Sequence, residues 1–297
     1  MLFQELREDL ILKMKIFAIG DFHGKFPDKL RRKIKEEKPD LILGTGDYTG
    51  IDDWRPLLKK VFKARRKGVE LNVEKLIGEE EYKKLLEKDY KAGEVVLKKI
   101  NKLKIKTFSV FGNGDWYKVF FNDAGKYYEK LIKKLRYIKN INRGRGSFGK
   151  IRIVGFGGYL DPDIYFTKRG MKAIGENEKS NKKRRKRYNK EEKNLMRLMK
   201  SKPDIMLAHY TPYNCLDKMK ARGHALTGSH MGVSYYNRAI KRFSPVLVIC
   251  GHMHEYQGVK KIGRTKVVAV GSAYEGKAAI IEMDERNHKI ENIRFIK

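Results

Sequence analysis

The feature that most constrains this chain is a short apolar run that ends in a glycine and is followed at once by two polar side chains. Residues 16–24 read Ile-Phe-Ala-Ile-Gly-Asp-Phe-His-Gly. A bounded apolar run of this length is typical of a buried strand, and open α/β sheets place their chemistry just beyond the carboxyl ends of such strands. We therefore expect Asp21 and His23 on one tight loop, where a carboxylate and an imidazole can bind the same divalent metal ion.

A strand followed by ligand-type residues recurs four more times along the chain. Together the five strand ends supply two aspartates, one asparagine and four histidines: Asp21, His23, Asp47, Asn113, His209, His252 and His254. Four of the chain's seven histidines are in this set. Carboxylates and imidazoles bind Mn, Fe, Zn and related ions, and a carboxylate such as Asp47 can bridge two ions. The set therefore predicts two divalent metal ions, which we expect to be Mn, Fe, Zn or Ni.

The order of these motifs resembles that of the calcineurin-like metallophosphoesterase superfamily. The motifs D-x-H, GD, GN, a lone histidine and GHxH follow one another between residues 15 and 254, and the closing segment 271–277 resembles that of the superfamily's small single-domain phosphoesterases. The resemblance implies an α/β fold, a four-layer α/β/β/α sandwich. It also implies that one ion is held by Asp21, His23 and His254, the other by Asn113, His209 and His252, and that Asp47 bridges the two.

This set of ligands indicates hydrolysis of a phosphoester. Two ions about 3.5–4 Å apart can hold a bridging hydroxide and clamp a phosphoryl group for in-line attack. The expected function is therefore that of a dinuclear metal-dependent phosphoesterase without a protein nucleophile. Asp47 and Asn113 would act in catalysis as well as in metal binding.

One position departs from the pattern of the superfamily. Many members carry a histidine after the GN motif, which is thought to protonate the leaving oxygen, whereas this chain has Gly114. A positioned general acid contributes about 10²–10⁴-fold, so its loss favours diesters, such as those of nucleotides or nucleic acids, over poorly activated monoesters. His224 and His230 are the expected substitutes, unless both are surface histidines on a flexible loop. Asp115 is expected to orient the Asn113 loop from behind.

The charge of the chain favours polyanionic partners. Lys and Arg outnumber Asp and Glu by 68 to 36, a formal net charge of +32, and such a field attracts nucleic acids or other phosphorylated polymers. A generally lysine-rich surface is the alternative. The strongest local signal is a run of six basic residues, which is either a solvated, mobile arm or a contact for phosphates: Lys182, Lys183, Arg184, Arg185, Lys186 and Arg187.

Two other functions remain open at the level of sequence. The first is a binding scaffold that keeps the fold but has lost catalytic turnover, and the glycine at position 114 is consistent with such a loss. The full set of ligand residues argues against a scaffold, because buried polar groups that are brought together without a metal ion lower the stability of the fold. A phosphomonoesterase acting on proteins or small molecules is the other alternative. Relative rates on a diester and a monoester with equal leaving groups separate these possibilities.

The organisation of the chain is expected to be simple. We expect one metallophosphoesterase domain over residues 1–297, with an N-terminal extension at 1–13, a helical insertion at 54–103 and a basic helical segment at 165–200. Two cysteines, Cys215 and Cys250, are too few for a disulfide framework. With no apolar span of membrane length, a cytoplasmic protein without membrane contact is expected.

Overall fold

The computed structural model describes residues 13–50, 52–115, 124–221 and 225–297, apart from the side chains at 66 and 124–126. His224 lies outside these ranges. So does the N-terminal extension except for Lys13, which begins the first strand.

Two six-stranded mixed sheets form the centre of the molecule. The first contains β1 (Lys13–Ile19), β2 (Leu41–Gly44), β3 (Thr107–Ser109), β4 (Ile138–Asn140), β11 (Ala278–Asp284) and β12 (Lys289–Ile296). The second contains β5 (Gly144–Phe148), β6 (Ile151–Phe156), β7 (Ile205–Ala208), β8 (Leu247–Cys250), β9 (Gln257–Ile262) and β10 (Thr265–Val270). The strand orders are β12-β11-β1-β2-β3-β4 and β5-β6-β7-β8-β10-β9. Strands β1 to β4 run parallel, as do β6, β7, β8 and β10.

Helices cover the outer faces of both sheets. In chain order they are α1 (Asp28–Glu37), α2 (Trp54–Arg66), α3 (Val73–Ile77), α4 (Glu79–Asn101), α5 (Ala124–Ile132), α6 (Lys168–Ile174), α7 (Glu178–Met199) and α8 (Ser234–Phe243). Apolar side chains of α1, α4 and α5 pack on the first sheet, and those of α7 and α8 pack on the second. The expected four-layer α/β/β/α sandwich is confirmed.

The alternation of side chains along β1 shows why the layers form. Ile16 and Ala18 are buried in the core between the two sheets, whereas Phe17 and Ile19 are buried against the helices. Successive side chains of a strand point to opposite faces, so a continuously apolar strand fits a sheet that is covered on both sides.

The helical pattern predicted for residues 54–103 corresponds to the helices α2, α3 and α4. The last turns of α4 pack on the first sheet through Val96, Leu97 and Ile100. The remainder has its own apolar cluster, with Trp54 and Val61 at its centre. No helix in the described ranges is long and apolar enough to cross a membrane.

The interpretation of residues 182–187 as a mobile arm is wrong. The run lies in the middle of α7, and Arg184 is buried, with its guanidinium donating to Asp161 and to Glu176. Arg187 also donates to Asp161, at 2.9 Å from Nε to Oδ2. Two of the six cations are therefore paired with acids inside the fold and are not available to a polyanion.

Candidate metal centre

The seven predicted ligands lie together where the two sheets meet at their carboxyl edges. The loops after β1, β2 and β3 carry Asp21, His23, Asp47 and Asn113, and the loops after β7 and β8 carry the other three histidines. The backbone N–H of His252 donates to both carboxylate oxygens of Asp21 at 3.0 Å. This contact joins the loops of the two sheets directly.

The backbone of these loops is unusual at the ligand positions. Four of the ligands have a positive φ, at 56° for Asp21, 45° for His23, 55° for Asp47 and 65° for His252. Residues other than glycine rarely adopt this left-handed conformation, which costs on the order of 1–3 kcal/mol when the surroundings impose it and clusters at functional sites. The surroundings here include hydrogen bonds from Phe22 N and His23 N to the carbonyl of Asp47, at 2.9 and 3.0 Å.

Steric crowding explains why glycine precedes two of the candidate ligands. A Cβ atom on Gly112 would lie 2.0 Å from Oδ1 of Asp47, and one on Gly251 would lie 2.2 Å from Oδ2 of Asp21. Only a residue without a side chain lets the loops approach the carboxylates this closely. The recurrence of glycine before a ligand is thus a consequence of crowding at the centre.

One group of donors surrounds Asp21. The Nε2 atoms of His23 and His254 lie 2.9 Å apart, and Nε2 of His254 lies 3.3 Å from Oδ1 of Asp21. The donor atoms of these three residues all lie within 4.8 Å of one another. Two imidazole nitrogens and a carboxylate that converge in this way can hold a transition-metal ion.

A second group of donors lies around His209. Its Nε2 is 2.9 Å from Oδ1 of Asn113 and 3.6 Å from Oδ2 of Asp47. Its Nδ1 lies 2.8 Å from the carbonyl of Thr45, a contact that needs the proton on Nδ1 and leaves the lone pair of Nε2 for a metal. His252 stacks edge-on against His209, with ring centroids 5.1 Å apart.

The donor chemistry fits divalent metal ions. Asp21, Asp47 and His209 also have donor atoms within 4.8 Å of one another, so the two groups are contiguous. Asp21 and Asp47 are both buried, and buried carboxylates are normally paired with cations. Four imidazoles, two carboxylates and one amide oxygen are the nitrogen and oxygen ligands that first-row transition metals accept.

Electrostatics within the centre reflects its burial. Burial raises the pKa of Asp21, but the hydrogen bond and charge of His254 and the charges of His209 and His23 outweigh this effect and hold the pKa well below its usual range. Burial lowers the pKa of His252 strongly. Imidazoles that stay neutral keep the lone pair that a metal needs.

Asp115 lies behind the centre, as expected of a residue that orients the loops. Its Oδ1 accepts hydrogen bonds from the backbone of Tyr48 and Thr49 at 2.7 and 3.1 Å, and its Oδ2 accepts one from Gly112 at 2.9 Å. It therefore ties the loop of Asp47 to the loop of Asn113. Burial and the charge of Asp47 raise the pKa of Asp115.

Gly114 lies close to the side chains of Asp47 and Thr49. Its backbone N–H donates to Oδ1 of Asp47 at 2.7 Å. A Cβ atom would meet Oγ1 of Thr49 at 2.9 Å and Oδ1 of Asp47 at 3.1 Å. A histidine at this position would therefore require the side chains of Thr49 and Asp47 to adjust.

His230 does not hydrogen-bond to any of the seven ligands in the part of the chain that the structure describes. Its Nδ1 lies 2.7 Å from Oδ1 of Asp217, and its ring lies 5.1 Å from the ring of Tyr213. The next residue, Met231, packs in one cluster with Met253, which stands between the ligands His252 and His254. Asp217 was missed from the sequence because no motif surrounds it.

A cavity beside the centre was also missed. It has a volume of about 410 Å³, and its lining includes Asn113, Gly114 and His252 from the centre. The rest of its wall comes from residues 54–82, residues 159–184 and Tyr210.

Comparison with known proteins agrees with this fold. A family model described as "Metallophosphoesterase, calcineurin superfamily" matches residues 10–294. One solved structure is 23% identical over 96% of this chain and 100% of the other, with a TM-score of 0.66. Another, from Thermus thermophilus, is 17% identical over 96% of this chain and 99% of the other, with a TM-score of 0.54. No curated protein gave a significant match.

Proposed function

The chain belongs to the calcineurin superfamily of metallophosphoesterases, and from that premise we propose that it is a dinuclear metal-dependent phosphoesterase that prefers phosphodiesters. The observation that carries this proposal is the convergence of six nitrogen- and oxygen-donor side chains from five strand ends in two contiguous groups, with the ring of His252 packed against His209. Asp21, His23 and His254 would hold one ion. Asn113, His209 and His252 would hold the other, and Asp47 would bridge them.

Two divalent ions, when bound, supply a Lewis acid for the phosphoryl oxygens and lower the pKa of water to near neutrality. The chain's own residues do the rest. The contact of His209 Nδ1 with the carbonyl of Thr45 fixes the orientation of the imidazole. The hydrogen bond from Gly114 N fixes the carboxylate of Asp47. Ligands that are held in this way need little reorganisation during the reaction.

A positive charge of the insertion, that of Arg55, affects the pKa values of His23 and His254. Burial lowers the pKa of His23, and the charge of Arg55 lowers it further. Burial and Arg55 also oppose the hydrogen bond and charge of Asp21, which together raise the pKa of His254. Arg55 is exposed at the first turn of α2. We assign it the binding of a phosphoryl oxygen, for which a guanidinium is well suited.

The preference for diesters is argued from the leaving group. Gly114 supplies no acid at the position where many members of the superfamily carry a histidine. His230 is the residue that we propose as a substitute proton donor. Asp217 orients its imidazole through Nδ1, which leaves Nε2 to donate a proton to the leaving group. His230 is partly exposed, and we propose it as an acid of secondary importance that matters most for poor leaving groups.

The test compares bis-p-nitrophenyl phosphate with p-nitrophenyl phosphate after chelation and again after Mn²⁺ or Ni²⁺ is restored. We expect metal-dependent turnover of the diester well above that of the monoester, and no turnover by Asp47→Asn. Faster turnover of the monoester would contradict the diester preference and favour a phosphomonoesterase. Metal binding without turnover of either ester would contradict hydrolysis and favour a scaffold.

A further inference from the structure

The cavity of about 410 Å³ beside the metal centre has the size of a ligand site. It shares Asn113 and His252 with the centre, so a group attached to a phosphorus atom bound there reaches the cavity directly. Tyr210 continues the wall from the centre inward, with its ring 4.1 Å from the ring of His252.

The wall of the cavity is mainly apolar, and aromatic side chains form a large part of it. Besides the imidazole of His252, six aromatic side chains line it: Trp54, Phe62, Tyr82, Tyr159, Tyr165 and Tyr210. Leu58, Val61, Val73 and Ile174 add aliphatic surface between them. Aromatic walls favour flat rings, because offset and edge-on ring pairs stabilise beyond the area they bury.

The charged groups of the wall cancel one another. Among the described residues the lining contains two arginines, Arg65 and Arg184, and two glutamates, Glu74 and Glu176. Arg184 donates to Glu176 through Nε at 3.1 Å and to Tyr159 at 3.2 Å. Arg65 donates from Nε to the carbonyl of Leu71 at 2.9 Å. The formal charges of the lining therefore cancel, and the guanidinium of Arg184 is already paired with acids.

The insertion closes the cavity on its outer side. Helix α2 packs against α6, and the approach is so close that a Cβ atom on Gly175 would lie 2.6 Å from Cβ of Arg65. On the other side, Nε1 of Trp54 donates to the buried carboxylate of Asp89 on α4. The wall is thus formed by two parts of the chain, the insertion and residues 159–184, which contact each other beside the cavity.

We propose that this cavity binds the organic group of the substrate, and that this group is an uncharged aromatic ring system. The inference rests on the proposed function, since it describes the second half of the same phosphoester. The phosphoryl group would lie at the metal centre and the ring in the cavity. The class of substrate is therefore a small aromatic phosphodiester, a class that includes the diesters of nucleosides, and not a phosphate on a bulky protein surface.

The first test uses a series of diesters that share the p-nitrophenolate leaving group and differ only in the second ester group: methyl, cyclohexylmethyl, benzyl and 4-carboxybenzyl. Because the leaving group is constant, differences in kcat/KM report binding of the second group. We expect the benzyl diester to exceed the methyl diester by at least about tenfold, as one buried ring contact predicts. The kcat/KM of the cyclohexylmethyl diester should lie between these two values. The negative charge of the 4-carboxybenzyl diester should lower its kcat/KM to about that of the methyl diester.

Two variants locate the effect. Leu58→Trp fills the cavity from α2, and Ile174→Trp fills it from the opposite wall. In both variants, kcat/KM for the benzyl diester should be close to kcat/KM for the methyl diester. Lys59→Trp places the same side chain on the exposed face of α2 and should keep the ratio of the wild-type protein. Equal kcat/KM for all four diesters, or a ratio that neither cavity-filling variant changes, would overturn the inference while the proposed hydrolysis stands.

A binding measurement separates the two proposals. The uncharged fluorescent probe N-phenyl-1-naphthylamine is titrated into chelated protein, so that turnover plays no part. We expect saturable binding that Leu58→Trp and Ile174→Trp abolish and Lys59→Trp retains. This result together with no turnover of any ester would support the aromatic site and contradict the hydrolysis. Equal binding by all four proteins would place the probe elsewhere and overturn the inference.

Discussion

The metal centre and the cavity beside it are built in different ways. The ligands of the centre lie on loops at strand ends, in left-handed backbone conformations at four positions, and backbone hydrogen bonds tie these loops to one another. The cavity is walled mainly by side chains from two distant parts of the chain, the insertion and residues 159–184, where α2 packs against α6. The sheets thus fix the chemistry, whereas the helices that cover them can vary the group that is accepted without moving a ligand.

Asp47→Asn should have the largest effect, because it acts on the centre alone. The change removes the negative charge that would bridge two cations, and turnover of bis-p-nitrophenyl phosphate should be abolished. The circular dichroism spectrum and the binding of N-phenyl-1-naphthylamine should be unchanged, because the cavity does not include Asp47. Full activity in this variant would contradict the assignment of two metals.

Asp115→Asn should lower the metal affinity of the centre, because Asp115 orients the loops that carry the candidate ligands. Residues that orient ligands typically contribute about 10–100-fold to metal affinity or activity, and Asp115 holds both the Asp47 and the Asn113 loops. Titration of Mn²⁺ against activity should show a loss of affinity in this range. An unchanged titration would mean that the loops are held without this carboxylate.

Arg55→Met tests a residue of α2 whose charge lowers the pKa of His23. Loss of one charge-assisted hydrogen bond should lower kcat/KM by on the order of tenfold. Arg55→Lys should retain part of the activity, and Lys60→Met, on the same helix, should retain all of it. An Arg55→Met enzyme with unaltered kcat/KM would remove Arg55 from the site.

Asp89→Asn should alter how the stability of the insertion depends on pH. Burial raises the pKa of Asp89 from 3.8 to about 7. Because the folded pKa lies above the unfolded one, the folded state binds the proton more tightly, and stability is lost as the pH rises from about 4 through 7. The thermal midpoint of the wild-type protein should fall over this interval more than that of Asp89→Asn. Asp28→Asn, at an exposed site, should show the wild-type dependence, and equal slopes in all three proteins would contradict the prediction.

Replacing Lys182, Lys183, Arg185 and Lys186 by glutamine should have the smallest effect on turnover. These four residues of the basic run are exposed on α7, outside the cavity lining. Turnover of the benzyl diester should stay within about twofold, whereas binding of single-stranded nucleic acid should weaken and lose part of its salt dependence. An unchanged salt slope would mean that this face does not contact phosphates.

The candidate ligands could be picked out in the sequence because their signals are local. Each follows an apolar strand, and the glycines at 112 and 251 are demanded by the carboxylates of Asp47 and Asp21. The order of layers could be predicted for the same reason, since continuously apolar strands need cover on both faces.

The cavity could not be predicted, because its wall has no local signal. Trp54 and Tyr165 lie far apart in sequence and meet only after the sheets have formed. Arg184 is similar: its acidic partners lie 23 and 8 residues away, so the basic run looks solvated until the fold pairs two of its members. Isolated aromatic or charged residues do not reveal which of them will share a wall.

The measurement that tests the central claim most directly is an anomalous difference map from crystals grown with Mn²⁺. The account predicts two peaks, one beside Asp21, His23 and His254 and the other beside Asn113, His209 and His252, with Asp47 touching both. A single peak, or ions bound away from these side chains, would contradict the dinuclear centre.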